Sequence, residues 1–379
     1  MAEVMEFRFE VIYRSTKSRA RVGRIHTPHG VIDTPGFVPV GTNGCLKGLT
    51  AEQTAELNIQ LLFCNTYHLM VKPGADIVQA AGGIHTFMQR NAPIITDSGG
   101  FQVFSLAYGG YTEELKSKGA KQQRNGVAKI TEDGVTFRSY RDGSKLLLTP
   151  ESSIEAQKKI GADIIVSFDE LPPYHTDVRR LKKSLDRTHR WEKRSLDAHL
   201  SNKQGQALYA VVHGGVDLEM RSISAQLLGQ MPFDGYGIGG SVGKDRDEMV
   251  TMLTHTVPQL PGDKPIHLLG IGDLPSIELG VPLGIDTFDS SHPTKCARHG
   301  LLFTSQGSIR IVRSLYANDF SPLDTKCVCY TCRTYTRAYL HHLFKAHELT
   351  YYTLASIHNS AFMMRLMADY RQAILDGKI

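Results

Sequence analysis

The sequence has 379 residues, 41% hydrophobic and 21% charged, a composition typical of a globular protein with a large core, which excludes a disordered chain. Lysine and arginine (43) only slightly exceed aspartate and glutamate (38), and a formal charge of +5 does not by itself indicate a polyanionic partner. No apolar run approaches the roughly 20 residues of a membrane span, and residues 1–13 do not resemble a signal peptide. We therefore expect a soluble, cytoplasmic protein with no membrane segment.

The first predicted elements are strands. Residues 7–40 alternate apolar and polar side chains between Gly and Pro breaks, which predicts a layer of short antiparallel strands. Eight short apolar runs, separated by helix-length segments, then end in Gly, Asp, Asn or His within residues 38–42, 61–66, 94–100, 164–170, 209–215, 236–240, 267–273 and 286–291. Apolar strands covered by helices belong in a parallel sheet, and eight such units predict an α/β fold, a (β/α)8 TIM barrel, with a doubly wound open sheet as the alternative. Both architectures place the chemistry at the carboxyl ends of the strands.

Capping residues mark helix starts, and two segments depart from the strand and helix alternation. Threonine-led patterns at residues 50–53 and 149–151 predict capped helices. Residues 107–125 are rich in Gly and Lys and indicate an insertion, and residues 127–150 predict a hairpin with Asp-Gly turns. A basic run at 179–194 predicts a solvated helix face with i,i+4 ion pairs. Two long helices are predicted near the C-terminus.

A cysteine cluster gives the most specific local signal. Cys327, Cys329 and Cys332 form a CxCxxC motif, and His358 follows within a predicted helix. Three thiolates and one imidazole form a closed tetrahedral set for Zn²⁺ that leaves no position for catalysis, so we expect a structural site, with a cluster of reduced thiols as the alternative. Three other histidines compete for the fourth position: His341, His342 and His347. The predicted parts are an N-terminal β layer (1–37), the catalytic barrel with its insertion (38–308), and a zinc-binding subdomain with C-terminal helices (309–379).

Acidic residues stand at the ends of several predicted strands: Asp97, Asp169, Glu170, Asp286 and Asp289. Two carboxylates on opposite sides of a sugar can break its glycosidic bond by double displacement, one attacking C1′ and the other handling the proton of the leaving group. A single strand-end aspartate more often caps a helix or pairs with arginine, but three strands ending in acids favour catalysis. Gly99 and Gly100 allow a flat ligand to approach the backbone, and Phe101 offers either a stacking face or a core side chain.

Two further patterns are less specific. Gly235-x-Gly237-x-x-Gly240 matches the dinucleotide-binding fingerprint, but it lies far from the first βα turn and no full strand precedes it, so we interpret the match as accidental. Between residues 291 and 345 only Asp319 and Asp324 are acidic. The same segment holds eight basic residues: Lys295, Arg298, Arg310, Arg313, Lys326, Arg333, Arg337 and Lys345. Such a basic face suits a nucleic-acid backbone.

Taken together, these motifs resemble the tRNA-guanine transglycosylases over nearly the whole chain. The resemblance rests on TDSGGFQVFSL, the FDE strand end, the GG turn, the FD…PT…R…G segment, and CxCxxC followed by RAYLHHL and a helical HN. It implies a homodimer of barrels, each with one structural Zn²⁺. It also implies an enzyme of queuosine biosynthesis that exchanges guanine at wobble position 34 of GUN-anticodon tRNAs for a 7-deazaguanine base, preQ1 or queuine.

The resemblance also implies roles for individual residues. Asp289 would be the nucleophile that forms a covalent tRNA–enzyme intermediate, and Asp97 would be the general acid/base. The base would be bound by seven residues: Ser98, Gly99, Gly100, Phe101, Asp169, His213 and Gly240. The anticodon loop would be contacted by two segments: Gly270, Ile271, Gly272, Asp273, Leu274, Pro275 and Ser276, and Thr294, Lys295, Cys296, Ala297 and Arg298.

The chain departs from bacterial members of the family around the base pocket. Leu171 stands where they usually have Cys, His213 where they have Gln, His267 where they have Tyr, and Lys295 where they have Arg. The turn at 239–243, GGSVG, is one residue shorter than the usual GGLAVG. We hypothesise that these changes alter the hydrogen-bonding edge of the pocket and admit the bulkier base queuine.

Two other functions remain open from the sequence. The same family includes an accessory subunit that binds tRNA or its partner without a nucleophile, and the presence of both Asp97 and Asp289 argues against that role. A zinc hydrolase on a barrel would need an open site with histidine and carboxylate ligands, whereas the ligand set here is rich in sulfur.

Overall fold

The structure is a computed structural model that describes residues 6–108, 129–139 and 141–379. The strands in chain order are β1 (Arg8–Arg14), β2 (Arg21–Thr27), β3 (Gly30–Thr34), β4 (Gly36–Pro39), β5 (Leu62–Cys64), β6 (Ile94–Thr96), β7 (Lys129–Ile130), β8 (Val135–Arg138), β9 (Lys145–Leu148), β10 (Ile164–Val166), β11 (Ala207–Val212), β12 (Gly235–Ile238), β13 (Ile266–Leu268), β14 (Thr287–Ser290), β15 (Leu301–Leu302) and β16 (Ile309–Arg310). The helices are α1 (Ala51–Glu56), α2 (Thr66–Val71), α3 (Ala75–Ala80), α4 (Ile84–Met88), α5 (Gly100–Tyr108), α6 (Pro150–Ile160), α7 (Val178–Leu200), α8 (Leu218–Gly229), α9 (Arg246–Thr256), α10 (Leu274–Gly280), α11 (His292–Arg298), α12 (Tyr330–Thr334), α13 (Arg337–Lys345) and α14 (Leu349–Leu375).

The N-terminal layer is an antiparallel sheet of β1, β2 and β3 in that order. Side chains of β1 alternate between exposed and half-buried, whereas β2, the central strand, is buried except at Arg24. The difference arises because β2 packs into the core: Val22 and Ile25 belong to clusters that include barrel residues, and α14 packs against this strand. The predicted antiparallel strands are confirmed.

Eight parallel strands form the barrel in the order β4, β14, β13, β12, β11, β10, β6, β5. The two ends of this order meet at a parallel bridge between Val40 and Phe63, so the sheet closes on itself. Every residue of the short strands β5, β6 and β10 is buried, as expected for parallel strands covered on both faces. The predicted α/β barrel is confirmed, and the open doubly wound sheet is excluded.

Two expectations about local structure also hold. Thr50 and Gln53 form the predicted capping box of α1, and Thr149 caps α6 through a reciprocal pair with Ser152. The segment after residue 128 forms an antiparallel sheet of β7, β8 and β9, which confirms the hairpin. Of the predicted insertion, residues 109–125 lie outside the described part of the chain.

The glycine pattern at 235–240 serves barrel packing. Gly235 and Gly237 lie within the buried strand β12, whereas a dinucleotide fingerprint would follow a strand. A Cβ atom at Gly235 would lie 2.5 Å from Cε1 of Tyr209 on the neighbouring strand. Glycine is therefore required by close packing of the ring, and the interpretation of the fingerprint as accidental holds.

Asp286 lies at the amino end of the barrel, because it precedes β14. Its carboxylate forms a buried ion pair with Arg21 of β2, with oxygen to nitrogen distances of 2.5 and 2.9 Å, and accepts a bond from the backbone N–H of Ile266. The expectation that Asp286 belongs with the catalytic strand ends is therefore wrong. The residue instead attaches the N-terminal sheet to the barrel.

Another carboxylate at the amino end, Asp163, precedes β10 and holds two histidines. Its oxygens lie 2.7 Å from Nδ1 of His29 and 3.0 Å from Nε2 of His85. The two imidazoles are stacked, with ring centroids 3.5 Å apart and planes 10° from parallel. These atoms are close enough to hold a metal ion, but near-parallel stacked rings cannot both direct an in-plane lone pair at one ion. We therefore interpret the group as a hydrogen-bonded clasp.

The C-terminal part contains a small β15–β16 ladder, α12, α13 and the long helix α14. Asn359 of α14 accepts a bond from Phe303 N and donates to the carbonyls of Pro293 and Leu301, and Arg371 donates to the carbonyl of Pro35. This helix therefore joins the C-terminal part to the barrel. Within the described ranges, no helix has both the length and the apolar character needed to cross a membrane.

Candidate active site and metal centre

The predicted site residues are gathered at one rim of the barrel. Asp97 follows β6, Asp169 follows β10 and His213 follows β11. Gly240 follows β12, and Asp289 lies near the end of β14. Because all eight strands are parallel, these carboxyl ends lie at the same end of the barrel.

Asp97 is held by four hydrogen bonds. Oδ1 accepts from the backbone N–H of Thr66 (2.8 Å) and Gly99 (3.2 Å), and Oδ2 accepts from the amides of Asn65 (2.6 Å) and Gln102 (3.1 Å). Burial raises the pKa of this carboxyl, and the four bonds only partly offset that effect. A fixed carboxyl with a raised pKa is suited to accept and return a proton.

Asp289 is buried and is held through one oxygen only. Oδ1 accepts bonds from the backbone N–H of Gly270 (2.6 Å) and from Nε2 of His267 (3.0 Å). Oδ2 accepts no hydrogen bond from any residue that the structure describes. The carboxylate is therefore oriented by one oxygen while the other is available to a ligand.

The predicted base-binding residues meet around Asp169. Nε2 of His213 lies 2.6 Å from Oδ2 of Asp169, and the Ser98 hydroxyl donates to Oδ1 at 3.3 Å. Gly100 N donates to the same hydroxyl. Gly240 has a φ of 71°, and a Cβ atom there would lie 2.9 Å from Nδ1 of His213. The imidazole thus lies between Asp169 and the turn after β12.

Phe101 and Leu171 have different environments. Phe101 is 46% exposed in the first turn of α5, which excludes the core interpretation of this side chain. Leu171 is buried in an aromatic cluster that includes Phe168 and Trp191. An exposed ring is available for stacking, whereas Leu171 contributes mainly to the wall behind the site.

The two predicted RNA-contacting segments are only partly accessible. Several of their residues are buried: Ile271, Gly272, Ser276, Thr294, Cys296 and Ala297. The exposed ones are Gly270, Pro275 and Lys295, with Leu274 and Arg298 intermediate. The side chain of Asp273 caps α10 and pairs with Arg246 at 2.7 Å. Burial opposes ionisation of Asp273, but its hydrogen bonds with Arg246 and Ser276 outweigh burial and lower the pKa of this carboxyl. Only the exposed and intermediate residues of these two segments are therefore accessible to a ligand.

Sequence reasoning missed a fully buried arginine beneath the pocket. The Arg221 guanidinium donates to four carbonyl oxygens, those of Val212 (2.7 Å), Gly215 (2.8 Å), Gly239 (2.9 Å) and Ser241 (2.7 Å). No carboxylate in the described part of the chain pairs with it. Burial lowers the pKa of Arg221 to about 9. The side chain therefore ties the loop after β11 to the turn after β12, on both sides of His213. The sequence alone does not distinguish Arg221 from other residues of an amphipathic helix.

Helix α7 carries buried polar residues near the site that the sequence analysis did not identify. Three of its buried side chains accept bonds from backbone N–H groups of the neighbouring strands or their ends: Thr188 from Glu170 (3.1 Å), Glu192 from Val211 (2.9 Å) and Ser195 from Phe168 (3.1 Å). Burial raises the pKa of Glu192 well above its ordinary value. The i, i+4, i+7 spacing of these polar residues is the signal that could have identified a buried polar stripe.

The prediction of a solvated basic face on α7 is only partly right. Lys193 and Asp197 form the expected exposed i,i+4 pair at 2.5 Å. The arginines pair outside the helix instead: Arg187 with Glu170, Arg190 with Glu132 and Arg194 with Glu151. The basic residues thus hold α7 against the hairpin and the rim.

The cysteine cluster forms a candidate metal centre. The sulfur atoms of Cys327, Cys329 and Cys332 and one ring nitrogen of His358 all lie within 4.8 Å of one another. Nδ1 of His358 lies 3.2 Å from Cys332 Sγ, and Nε2 donates to the carbonyl of Phe303 at 2.6 Å. That bond fixes the tautomer in which Nδ1 faces the sulfurs, the arrangement expected of a metal-binding histidine. Hydrogen bonds from the Cys329 and Cys332 thiols lower the pKa of Cys327.

The donor set fits a metal ion and is compatible with zinc, whose tetrahedral sites combine thiolates and imidazole. The three rival histidines are not in the group, and Nδ1 of His341 instead lies 2.7 Å from the carbonyl of Ile311. A tetrahedral ion bound by these four donors would keep no open position.

The fold and the site define a class: a (β/α)8 barrel with carboxylates at the carboxyl ends of its strands and a cysteine-rich candidate metal centre in its C-terminal part. Comparison with known proteins identifies the family. The family model described as queuine tRNA-ribosyltransferase matches residues 15–379, and the chain belongs to this family.

Similar proteins cover the whole length of the chain. A queuine tRNA-ribosyltransferase of Protochlamydia amoebophila is 64% identical over 373 residues, which are 98% of this chain and 96% of that protein. The protein of the same name from Chlamydia felis is 55% identical over 376 residues, covering 99% and 100%. The one from Chlamydia trachomatis serovar D is 53% identical with the same coverage. The predicted family and the predicted enzyme class, a pentosyltransferase acting on tRNA, are confirmed.

Proposed function

We propose that this chain exchanges guanine at wobble position 34 of GUN-anticodon tRNAs for a 7-deazaguanine base, as a step of queuosine biosynthesis in the cytoplasm. The observation that carries the proposal is the contrast between two carboxyl groups at one rim. Asp289 is oriented through one oxygen, and its other oxygen has no partner among the residues that the structure describes, whereas Asp97 has a raised pKa. One is prepared to attack and the other to transfer protons.

The first displacement breaks the bond between C1′ of the ribose and N9 of guanine. Oδ2 of Asp289 attacks C1′ and forms an ester, the electron pair of the broken bond stays on guanine, and Asp97 assists by donating a proton. In the second displacement Asp97 takes the proton from the incoming base, whose nitrogen attacks C1′ and releases Asp289 as a carboxylate. Two inversions retain the configuration at C1′, and no external energy source is needed.

Incubation of the protein with unmodified tRNA and radiolabelled guanine tests this function. We expect label to enter the tRNA with the wild type and not with Asp289→Asn, whose amide is a poor nucleophile. A binding subunit without catalysis would bind tRNA and incorporate no label. Absence of label with a folded wild-type protein would therefore favour the accessory-subunit alternative.

We propose that Asp169 binds the amino edge of the base, that Phe101 stacks on it, and that the backbone near Gly240 contacts its carbonyl. The contacts between Asp169, Ser98 and His213 support a pocket assembled before the base arrives. The exposure of the Phe101 ring to solvent supports stacking on the base.

For the incoming base we propose queuine rather than preQ1. The support is the imidazole at His213, which bonds Asp169 and borders the shortened turn. The name carried by the relatives refers to the same base. Competition of both bases against labelled guanine tests the choice. Strong displacement by preQ1 with none by queuine would contradict it.

We propose that the metal is Zn²⁺, one per subunit, bound by Cys327, Cys329, Cys332 and His358. Its role is structural, because four protein donors leave no position for a substrate. When bound, the ion supplies a cross-link between α12 and α14 rather than chemistry at the rim.

We propose that the functional unit is a homodimer that binds the tRNA backbone through the basic face. Large apolar side chains are exposed between residues 312 and 339, including Phe320 (76%) and Val328 (81%), and an exposed apolar group of this kind favours association. Most of the basic residues of the segment are also exposed: Lys295, Arg310, Arg313, Lys326, Arg333 and Lys345. Sedimentation of the wild type tests the dimer, and salt dependence of tRNA binding tests the basic face.

A further inference from the structure

His267 connects the candidate nucleophile to a neighbouring hydroxyl. The residue lies on β13 and its side chain is 1% exposed. Nε2 lies 3.0 Å from Oδ1 of Asp289, and Nδ1 lies 2.8 Å from Oγ1 of Thr287 on the adjacent strand β14. Parallel pairing places His267 opposite Thr287, so the contact is built into the strand register.

The Asp289 carboxylate and the Thr287 hydroxyl contact the two ring nitrogens of His267. A neutral histidine has one donor and one acceptor nitrogen. Because an ionised Asp289 can only accept, Nε2 carries the proton that points at Asp289, and Nδ1 then accepts from the Thr287 hydroxyl, which supports this tautomer. In the protonated ring both nitrogens donate, and the hydrogen bond to Asp289 is kept. Both states therefore present a donor to the same oxygen.

Two donors thus converge on Oδ1 of Asp289: Nε2–H of His267 and the backbone N–H of Gly270, at 3.0 and 2.6 Å. Hydrogen bonds to an ionised carboxylate are stronger than those to a neutral carbonyl. In the proposed reaction Asp289 is charged before attack and after release, and it is a neutral ester in between. The two donors therefore favour the free carboxylate over the ester.

We propose that His267 is a positioning residue that makes Asp289 an effective leaving group in the second displacement. This inference rests on the proposed function. In that step the bond between C1′ and Oδ2 breaks, its electron pair returns to the carboxylate, and the incoming base forms the new bond and gives its proton to Asp97. The negative charge that appears is shared with Oδ1, where His267 and Gly270 donate. The same contacts fix the carboxylate so that Oδ2 faces the ribose.

The equilibrium between free enzyme and adduct provides the test. Protein, unmodified tRNA and guanine are mixed at a guanine concentration that leaves about half of the wild type as covalent adduct, and the adduct is measured on denaturing gels. Loss of the Nε2 donor in His267→Met should raise the ratio of adduct to free enzyme by roughly tenfold, the expected value of one charge-assisted hydrogen bond. His267→Gln, whose amide can place a donor at the position of Nε2, should stay within about twofold of the wild type.

Thr287 supplies an independent pair of variants. Thr287→Val removes the hydroxyl and should raise the adduct ratio in the same direction, whereas Thr287→Ser keeps the hydroxyl and should not. An unchanged ratio in both His267→Met and Thr287→Val, each shown to be folded by circular dichroism, would overturn the inference. Absence of any adduct in the wild type would instead count against the proposed function, so the two failures are distinguishable.

Discussion

Asp97 combines two properties that are usually in conflict, a dense set of hydrogen-bond donors and a raised pKa. Since the folded-state pKa lies above the ordinary value, the charged carboxylate is less favourable in the folded protein than in the unfolded chain. The stability contributed by this group is complete at low pH and is lost as pH rises through the raised pKa. Its function therefore has a cost in stability at neutral pH.

We predict that Asp97→Asn lowers guanine exchange by about a hundredfold or more, because general acid–base catalysis is removed. The same variant should unfold at a higher temperature than the wild type at pH 7, since a neutral amide avoids the burial of charge. The amides of Asn65 and Gln102 can rotate to present their oxygens to the new NH₂ group. Thermal unfolding at pH 7 and below pH 4 tests this, and a gain that is the same at both pH values would contradict it.

Arg221 fixes the positions of two loops next to the candidate site through its hydrogen bonds. Its four carbonyl acceptors belong to the two loops that flank His213. We predict that Arg221→Met costs about 3 kcal/mol of unfolding free energy, because buried carbonyls lose their donors. Arg221→Lys should raise KM for the base more than it changes tRNA affinity.

Arg190→Met is the matched control for Arg221→Met, because Arg190 is exposed and, among the described residues, bonds only Glu132 at the surface. We expect it to change unfolding by less than about 1 kcal/mol. Equal effects of the two methionine variants in urea unfolding would contradict the role given to Arg221.

At the scale of elements, strand register decides much of the site. Asp286 and Asp289 are three residues apart, yet one pairs with Arg21 at the amino end of β14 and the other faces the rim. Strand boundaries are the least certain feature of a sequence, so both residues seemed equally suited to catalysis. The contact of His267 with Asp289 also depends on the pairing of β13 with β14, which no local pattern reveals.

The turn between β2 and β3 is attached to the barrel by the clasp of His29, His85 and Asp163. The hydrogen bond that His29 donates to Asp163 raises the pKa of His29, against the effect of burial. This contribution to stability is complete below the ordinary histidine pKa of 6.5 and is lost as pH rises through the raised value.

We predict that His29→Gln destabilises the protein more at pH 6 than at pH 9. The glutamine keeps a donor near Asp163 but carries no charge, so it should show no titration. Urea unfolding of both proteins across this range measures the difference. A difference that grows with pH would contradict the assignment of the clasp.

At the scale of the whole molecule, the metal centre and the barrel share helix α14. His358 lies among the cysteines, while Asn359 and Arg371 of the same helix bond the barrel and the chain before β4. A cross-link at one part of this helix should therefore stabilise the C-terminal part first and the rim only indirectly.

We predict that a chelator, or Cys332→Ser, lowers hydrogen-exchange protection in α12 and the adjoining turns of α14 before guanine exchange is lost. Cys45→Ser is the control, because Cys45 is exposed and lies outside the metal group. Loss of the chemical step with full protection of α12 and α14 would contradict a structural role for the metal.

Much of the architecture could be predicted because its signals are local. Buried strands of three to six residues, helix caps and the CxCxxC motif each depend on neighbouring positions. The partners of Arg221 and of the polar stripe of α7 could not be predicted, since they come from other elements; the spacing of the stripe itself is visible in the sequence. The division at residues 37/38 and 308/309 stays a prediction.

The most direct test of the account is to locate the covalent bond between protein and tRNA. Wild-type protein is incubated with unmodified tRNA, denatured at mildly acidic pH, digested with protease and nuclease, and analysed by mass spectrometry. We expect a ribosyl ester on the peptide that contains Asp289, and none in Asp289→Asn. An ester on another residue, or one that persists in Asp289→Asn, would contradict it.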